Sequence, residues 1–541
     1  MRVADFFCGG GGFSEGFRQA GFKIVFAVDK WLPAVTTYKG NKPGVNVIQD
    51  DVIRISKLPD DEFEKLVPDS EVIIGSPPCQ SFSNSNKSGN NDKTLGIQLV
   101  EAYLRIIARK KYKKDSCLKY WVLENVPNVK HFIHERYTAQ ELGLEGDFVF
   151  ETRCKASGVY NAKYFGAPTN RERYLCGDFP EPVKTNNDSD LVTLGQVLRK
   201  LGKPKSTYPK PITDINYPDF SMSRRKVTDH HYVFEIAPHE WEVAKRLKQD
   251  RGYMGVMSFP ENLNKPSRTV MANVSMSSRE SMILGMGDNR YRAPTIREVA
   301  SMMSFPIDYR FYGESIGIKH TLVGNAVPPK MSYAIAKAIA LDAGETVPDH
   351  YIPIVHAKDV PFVNLNKHTF HIREELPKRD VSRFKYHIPY LIVNRFRTEL
   401  TNYNSDFENK LFKWDVEIHY SQGKVNARVY KPVLSDSLFP NQLGKDMKAF
   451  AEEWYNRGKY SFNDFQRVFC MPTKQRQQDE ENGPFELLNE VKAFIVENVK
   501  KEEKSIELEV DGADKKIPYE IAVGYYLLDG ITKKMGGFCL K

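Results

Sequence analysis

Five short stretches carry residue types that could do chemistry. The sharpest is Gly75-Ser76-Pro77-Pro78-Cys79-Gln80-Ser81-Phe82-Ser83. Two prolines fix the backbone direction ahead of a thiol at low entropic cost. A single cysteine is more often a buried structural residue. Here Gln80, Ser81, Ser83 and the polar stretch 84–94 point to an exposed loop. Cys79 is therefore a candidate nucleophile. Leu123-Glu124-Asn125-Val126-Pro127 supplies a carboxyl that could act as an acid or as a hydrogen-bond anchor. Arg171-Glu172-Arg173 alternates, which on a strand puts both guanidiniums on one face.

The other two stretches point to binding. Asp5-Phe6-Phe7-Cys8-Gly9-Gly10-Gly11-Gly12-Phe13 places glycines where a strand gives way to a helix, so bare backbone can approach a ligand. Asp29 lies seventeen residues beyond Gly12, at the end of the next strand-like run. A carboxylate there can accept from both hydroxyls of a ribose. A glycine-rich turn alone leaves a dinucleotide, S-adenosylmethionine or no ligand equally open. Gly324-Asn325-Ala326-Val327-Pro328-Pro329 precedes a helical run. Taken singly, the Glu124, Arg171/Arg173 and Asn325 stretches read equally well as ordinary surface charges or turns.

Alternating strands and helices must position these groups. Strands are predicted at Arg2 to Phe7, Lys23 to Val28, Val72 to Ile74 and Tyr120 to Leu123, with helical patterns to about Ala20, over Ala34 to Tyr38 and over Leu99 to Ala108. That order reads as a mostly parallel sheet covered on both faces, an α/β fold. Cys79 and Glu124 then sit at the carboxyl ends of neighbouring strands, where such sheets bind ligands. The pattern weakens after Asp178, and helices return at Thr295 to Met303 and Lys330 to Leu341. Pro348, Pro353 and Pro361 mark a linker before a separate folded unit.

The 541 residues exclude several classes. No apolar run approaches the ~18 residues that span a bilayer, so no membrane association is expected. The first residues form no secretory signal, and the expectation is a protein that is not exported. Seven cysteines without a CxxC pair fit a reducing compartment. Net charge is +9. Residues 361–541 carry 29 basic and 27 acidic side chains, so the basic excess lies ahead of them and leans toward a polyanionic partner.

As a set, the stretches resemble the cytosine-C5 DNA methyltransferase family over about residues 1–345. DFFCGGGGFSEGF is similar to the family's cofactor motif, GSPPCQSFS to its Pro-Cys-Gln motif and LENVPN to its Glu-Asn-Val motif. NAKYFGAPTNRERYL is similar to the Arg-x-Arg segment, and RAPTIREVASMMSFP with GNAVPP to the last two blocks. All stand in the family's order. The resemblance implies a Rossmann-like S-adenosylmethionine-dependent methyltransferase fold with a small target-recognition domain and an additional C-terminal domain. It implies that Cys79 is the nucleophile, with Glu124, Arg171 and Arg173 engaging the target cytosine or bracing the site. It places Phe7, Gly9, Gly11, Asp29, Asp51, Pro78, Leu99 and Asn325 around S-adenosylmethionine. One departure is Thr169, where the family has Gln.

The expected organisation is a catalytic domain over 1–178, target recognition over 179–289, and a return to the catalytic domain over 290–345. A linker over 346–360 and a C-terminal domain over 361–541 follow. The resemblance implies a monomer acting on double-stranded DNA in the cytoplasm, at the nucleoid, with a cognate restriction endonuclease acting separately. The weighed alternatives are a tRNA cytosine-C5 methyltransferase and a catalytically dead DNA-binding homologue. No metal site is expected, because His230-His231 has no companion ligands at suitable spacing. Asp415-Val416-Glu417 with Lys424 is loosely similar to a metal-dependent nuclease core, a pattern too degenerate to carry weight.

Overall fold

The computed structural model describes all residues except 79–92, 206–209, 251–254, 274, 369–370, 421–427, 500–504, 511–512 and 538–541. The chain divides into two compact units. The first is Met1–Ile236, Pro260–Met276 and Glu280–Ile372; the second is Ala237–Phe259, Ser277–Arg279 and Arg373–Lys541. The segment 179–289 is thus shared between them.

The first unit is built on a seven-stranded sheet. Its strands are β1 (Arg2–Phe6), β2 (Lys23–Asp29), β3 (Asn46–Gln49), β4 (Val72–Gly75), β5 (Tyr120–Asn125), β6 (Gly158–Asn161) and β7 (Glu172–Asp178). Their spatial order is β3-β2-β1-β4-β5-β7-β6. The first five run parallel, and β7 runs antiparallel to both β5 and β6. Strands buried on both faces need continuous apolar runs, and Val72-Ile73-Ile74 and Trp121-Val122-Leu123 provide them. The order reverses between β1 and β4, so a crevice opens at their carboxyl ends, where a ligand can enter. This is the mostly parallel α/β architecture expected of a Rossmann-like methyltransferase.

Helix α1 (Gly12–Gln19) follows the glycine loop, and α2 (Leu32–Asn41) and α3 (Thr94–Tyr112) are the next long ones. Helices α4 (Ile316–Asn325) and α5 (Pro329–Asp342) come from the far end of the unit. Helix α5 lies so close to α1 that a Cβ at Gly16 would stand 2.3 Å from the backbone nitrogen of Tyr333. Only glycine permits that approach. The Ser332 hydroxyl also donates to the carbonyl of Phe13. Residues three hundred positions apart in sequence therefore share one core around Phe13, Phe17, Ile335 and Ile339.

The second unit carries a four-stranded antiparallel sheet, β8 (Lys385–His387), β9 (Phe396–Thr401), β10 (Asp415–Tyr420) and β11 (Arg428–Tyr430), in that order. Leu400, Val416 and Ile418 point to one face and share a core with Ile521, Leu527 and Leu528 of helix α6 (Tyr519–Met535). Alternation puts Glu399, Glu417 and His419 on the other face. The helix Pro238–Gln249 also belongs to this unit. Its Arg246 guanidinium lies 3.5 Å over the Phe485 ring, and Asp250 just beyond it accepts from His387 Nε2 at 3.0 Å.

Candidate active site

The turn after β1 is shaped by its backbone. Phe7, Gly9 and Gly11 have φ of +54°, +51° and +82°. Glycine adopts such angles freely, whereas at Phe7 they are a strain that the surroundings must hold. The Cys8 N–H donates to the Val28 carbonyl at 3.0 Å, and the Gly11 N–H to the Cys8 carbonyl at 2.9 Å. Tyr309 Oη donates to the Gly10 carbonyl at 2.6 Å, and Lys42 Nζ to that of Gly11 at 3.3 Å. Lys42 is itself buried against the Glu15 carboxylate at 3.3 Å. Burial alone would push Glu15 up; Arg18, Lys42 and Gln19 outweigh it and hold it at about 2.

Asp29, at the end of β2, closes the turn. One carboxylate oxygen accepts from Gly9 N–H at 2.9 Å and the other from Trp31 N–H at 2.8 Å. Burial pushes its carboxyl up, against those two amides and that of Lys30. A carboxylate oxygen can accept a second bond, so the side chain is oriented and still available to a ligand.

The turn opens onto a cavity of about 340 Å³. Phe7, Gly9, Asp29, Pro78, Asn325, Glu124 and Arg173 all line it. Trp31, Thr321 and Leu322 line it too. Beyond β4 the chain is pinned twice: Ser76 N–H donates to the Phe6 carbonyl at 3.3 Å, and Asn125 Nδ2 to the Pro77 carbonyl at 2.9 Å. Pro78 is thus delivered to the cavity edge. Cys79 lies outside the described residues.

Glu124 is 5% exposed, and its Oε1 lies 2.8 Å from Arg173 Nε. Burial pushes its carboxyl up, with Arg173 and Arg171 pulling the other way. The result is an acid that holds its proton to higher pH than a free glutamate. Arg171 is not in the cavity wall. It is 2% exposed and donates to the carbonyls of Val270 at 3.0 Å, Gly324 at 3.0 Å and Ala326 at 3.1 Å. It therefore fixes the segment carrying Asn325 from behind. Thr169 Oγ1 donates to the Arg268 carbonyl at 3.2 Å, in the same strap.

Three further sequence-predicted residues lie off the wall. Asp51 caps the helix Val52–Ser56 by accepting from Ile53 N–H at 2.9 Å, and it pairs with Lys30 at 2.9 Å. Leu99 is half-buried on α3. Gly11 sits beneath the turn, where a Cβ would stand 2.6 Å from Tyr309 Oη. Sequence reasoning missed Trp31, although an aromatic two residues past a strand-end carboxylate was a readable signal. It also missed Tyr309 and Lys42, whose contact with the glycine turn has no local signature.

A family model described as C-5 cytosine-specific DNA methylase matches residues 1–341. Type II methyltransferase M1.HphI of Haemophilus parahaemolyticus is 29% identical over 360 residues, covering 63% of this chain and 86% of that one. Type II methyltransferase M.MthTI of Methanothermobacter thermautotrophicus is 27% identical over 356 residues, covering 63% and 98%. Among solved structures, the S. pombe Dnmt2 methyltransferase is 17% identical with a TM-score of 0.38, covering 62% of this chain and 99% of that one.

Proposed function

We propose that this chain, which belongs to the C-5 cytosine-specific DNA methylase family, methylates C5 of a cytosine flipped out of a specific duplex DNA sequence. It is a DNA cytosine-5-methyltransferase with S-adenosylmethionine as its methyl donor. The cavity suits that donor. Bare backbone at Gly9 and Gly10 admits close approach, Phe7 and Trp31 offer rings to an adenine, and Asp29 offers a fixed carboxylate to ribose hydroxyls. When bound, S-adenosylmethionine supplies an electrophilic methyl on a sulfonium.

The observation that carries the reading is the buried Glu124–Arg173 pair, in the same cavity as the glycine turn and the residue preceding Cys79. Aromatic C5 of cytosine is a poor nucleophile. Addition of the Cys79 thiolate at C6 breaks the aromaticity, and the displaced electron pair runs toward N3 and makes C5 enamine-like. Glu124, raised by burial, meets that charge with its proton at N3. As C5 is methylated the N3 proton returns to Glu124; the original C5 proton then leaves to a base, and the electron pair of that C–H bond re-forms the C5–C6 double bond as the Cys79 sulfur departs. Arg173 keeps Glu124 oriented, and its positive charge in the cavity would favour the anionic form of a thiol delivered there. The target atoms are unreachable inside a duplex, so the base must leave the stack.

Residues 179–289 are proposed to supply base recognition, and the chain to act as the modification partner of a separate endonuclease, as a monomer in the cytoplasm. No helix among the described residues is long and apolar enough to cross a membrane. Transfer of labelled methyl to duplex DNA, and not to tRNA, tests the substrate. Duplex DNA with 5-fluorocytosine at the target tests the route: fluorine cannot leave as a cation, so a covalent adduct should persist at Cys79 only when S-adenosylmethionine is present. Methylation of ordinary DNA without an adduct at the fluorinated site would refute addition at C6.

A further inference from the structure

The polar face of the second unit's sheet brings together a side-chain set that the methyl-transfer reaction does not use. On paired strands β9 and β10, Glu399 stands directly opposite Glu417, and His419 lies two residues further along the same face. All three are buried, at 6%, 9% and 4% exposure. Like charges placed directly across a sheet repel, and buried carboxylates cost more still. Two buried carboxylates facing each other need compensating positive charge close by.

The geometry is convergent. His419 Nε2 lies 2.9 Å from Glu417 Oε2 and 3.1 Å from Glu399 Oε2. Nε2 carries at most one proton, so it cannot give a full hydrogen bond to both. Glu399 Oε2 is buried and accepts no well-directed hydrogen bond from the described residues. One ligand atom from each of the three side chains lies within 4.8 Å of the others. Two ligands each about 2.1 Å from an octahedral ion and at right angles to each other are about 3.0 Å apart, which is the spacing of the imidazole from each carboxylate.

We propose that Glu399, Glu417 and His419 form a divalent-cation site in the second unit. Two carboxylate oxygens favour Mg²⁺ or Mn²⁺, one imidazole favours Zn²⁺ or Fe²⁺, and no thiolate is present; Mn²⁺ satisfies both preferences best. The surrounding cations act as placeholders. Lys385 Nζ lies 3.1 Å from Glu417 Oε2 and 3.6 Å from Glu399 Oε2, and Lys431 Nζ lies 3.3 Å from Glu417 Oε1. Arg397 Nε holds Glu399 Oε1 at 2.5 Å and leaves Oε2 to the site. The Lys385 and Lys431 side chains are 33% and 44% exposed, so both can swing into water as an ion enters. The three ligands are held by the strand register and stay.

The test is independent of methyl transfer. Full-length protein is titrated with Mn²⁺, and the free ion is followed by its electron paramagnetic resonance signal. Wild type should bind one Mn²⁺ per chain. Glu399→Gln and His419→Gln should each weaken binding at least tenfold while methyltransferase activity persists. Lys385→Met should tighten it severalfold, because a competing cation is gone. Absence of stoichiometric binding in wild type, or binding indifferent to Glu399→Gln and His419→Gln, overturns the site and leaves a closed ionic brace. If the ligand variants fail to fold, Lys385→Met decides: tighter binding supports the site, and unchanged or absent binding refutes it.

Discussion

Both units bury charge, but they assemble it differently. In the first, Asp29, Pro78, Glu124 and Asn325 come from the ends of successive elements, and each lies in a short motif of unusual composition. In the second, Glu399, Glu417 and His419 meet across the face of a sheet, on strands whose pairing sets the contact. A strand end projects its side chain into a crevice whatever its neighbours are, so a motif there announces its position. A strand face reveals its neighbours only once the register is known.

The largest effect that follows from the first arrangement is at Cys79. Cys79→Ser should cut methyl transfer on the order of a thousandfold or more, because a hydroxyl is a far weaker nucleophile than a thiol at neutral pH. Cofactor affinity should hold, since the described wall is built by other residues. Labelled transfer and calorimetry read the two separately. Activity within tenfold of wild type would remove the nucleophile assignment.

Glu124→Gln comes next. Loss of a positioned acid costs roughly 10²–10⁴-fold in the chemical step. The sign with pH is fixed by the raised carboxyl. Wild type should lose single-turnover rate as pH rises past that value, because the proton donor is gone, and the amide variant should lack that limb. An identical limb in both proteins would assign it to another group. Asp29→Ala should then weaken S-adenosylmethionine by about 1.5–3 kcal/mol, the scale of a charge-assisted hydrogen bond. An unchanged dissociation constant would show that the ribose is held elsewhere.

The contrast also explains what the sequence could and could not tell. The strands at Lys23, Val72 and Tyr120 were legible because buried parallel strands are apolar throughout, and the structure extends each by one or two residues at its carboxyl end. Strand β3 and the Gly158–Asn161 strand are short and mixed in pattern, and were not seen. Arg171 and Arg173 were expected on one strand face. The strand starts only at Glu172, so Arg171 is free to turn back onto three carbonyls while Arg173 reaches Glu124. Helix Pro238–Gln249 was invisible within a Pro- and Lys-rich stretch, and no local signal tells that it packs with residues after Arg373. Asp415-Val416-Glu417 alternates visibly, but nothing in the spacing says that Glu399 lies opposite.

The smallest predicted effect compares one buried acid from each unit and turns on sign. Burial pushes Glu124 up, and its arginines do not offset it. Burial would also raise Asp250, but hydrogen bonds from His387 and Tyr386 outweigh it and hold that carboxyl down. For Asp250 the folded state prefers the ionised form. Its contribution to stability is present above the ordinary carboxylate range and is lost as pH falls through the lowered value. For Glu124 the folded state prefers the neutral form, so its contribution is present below the ordinary range and is lost as pH rises toward the raised value. Urea midpoints of wild type relative to Asp250→Asn should therefore rise as pH is brought up from about 3 through 4, where free carboxyls titrate. Relative to Glu124→Gln they should fall as pH climbs above that range. Asp250 is buried, at 4% exposure, so salt screens its contacts little, and its share is about 1 kcal/mol, the scale of one hydrogen bond. Slopes of the same sign in both comparisons would mean that burial governs both units alike, and that the His387 and Tyr386 contacts do not hold Asp250 as an anion.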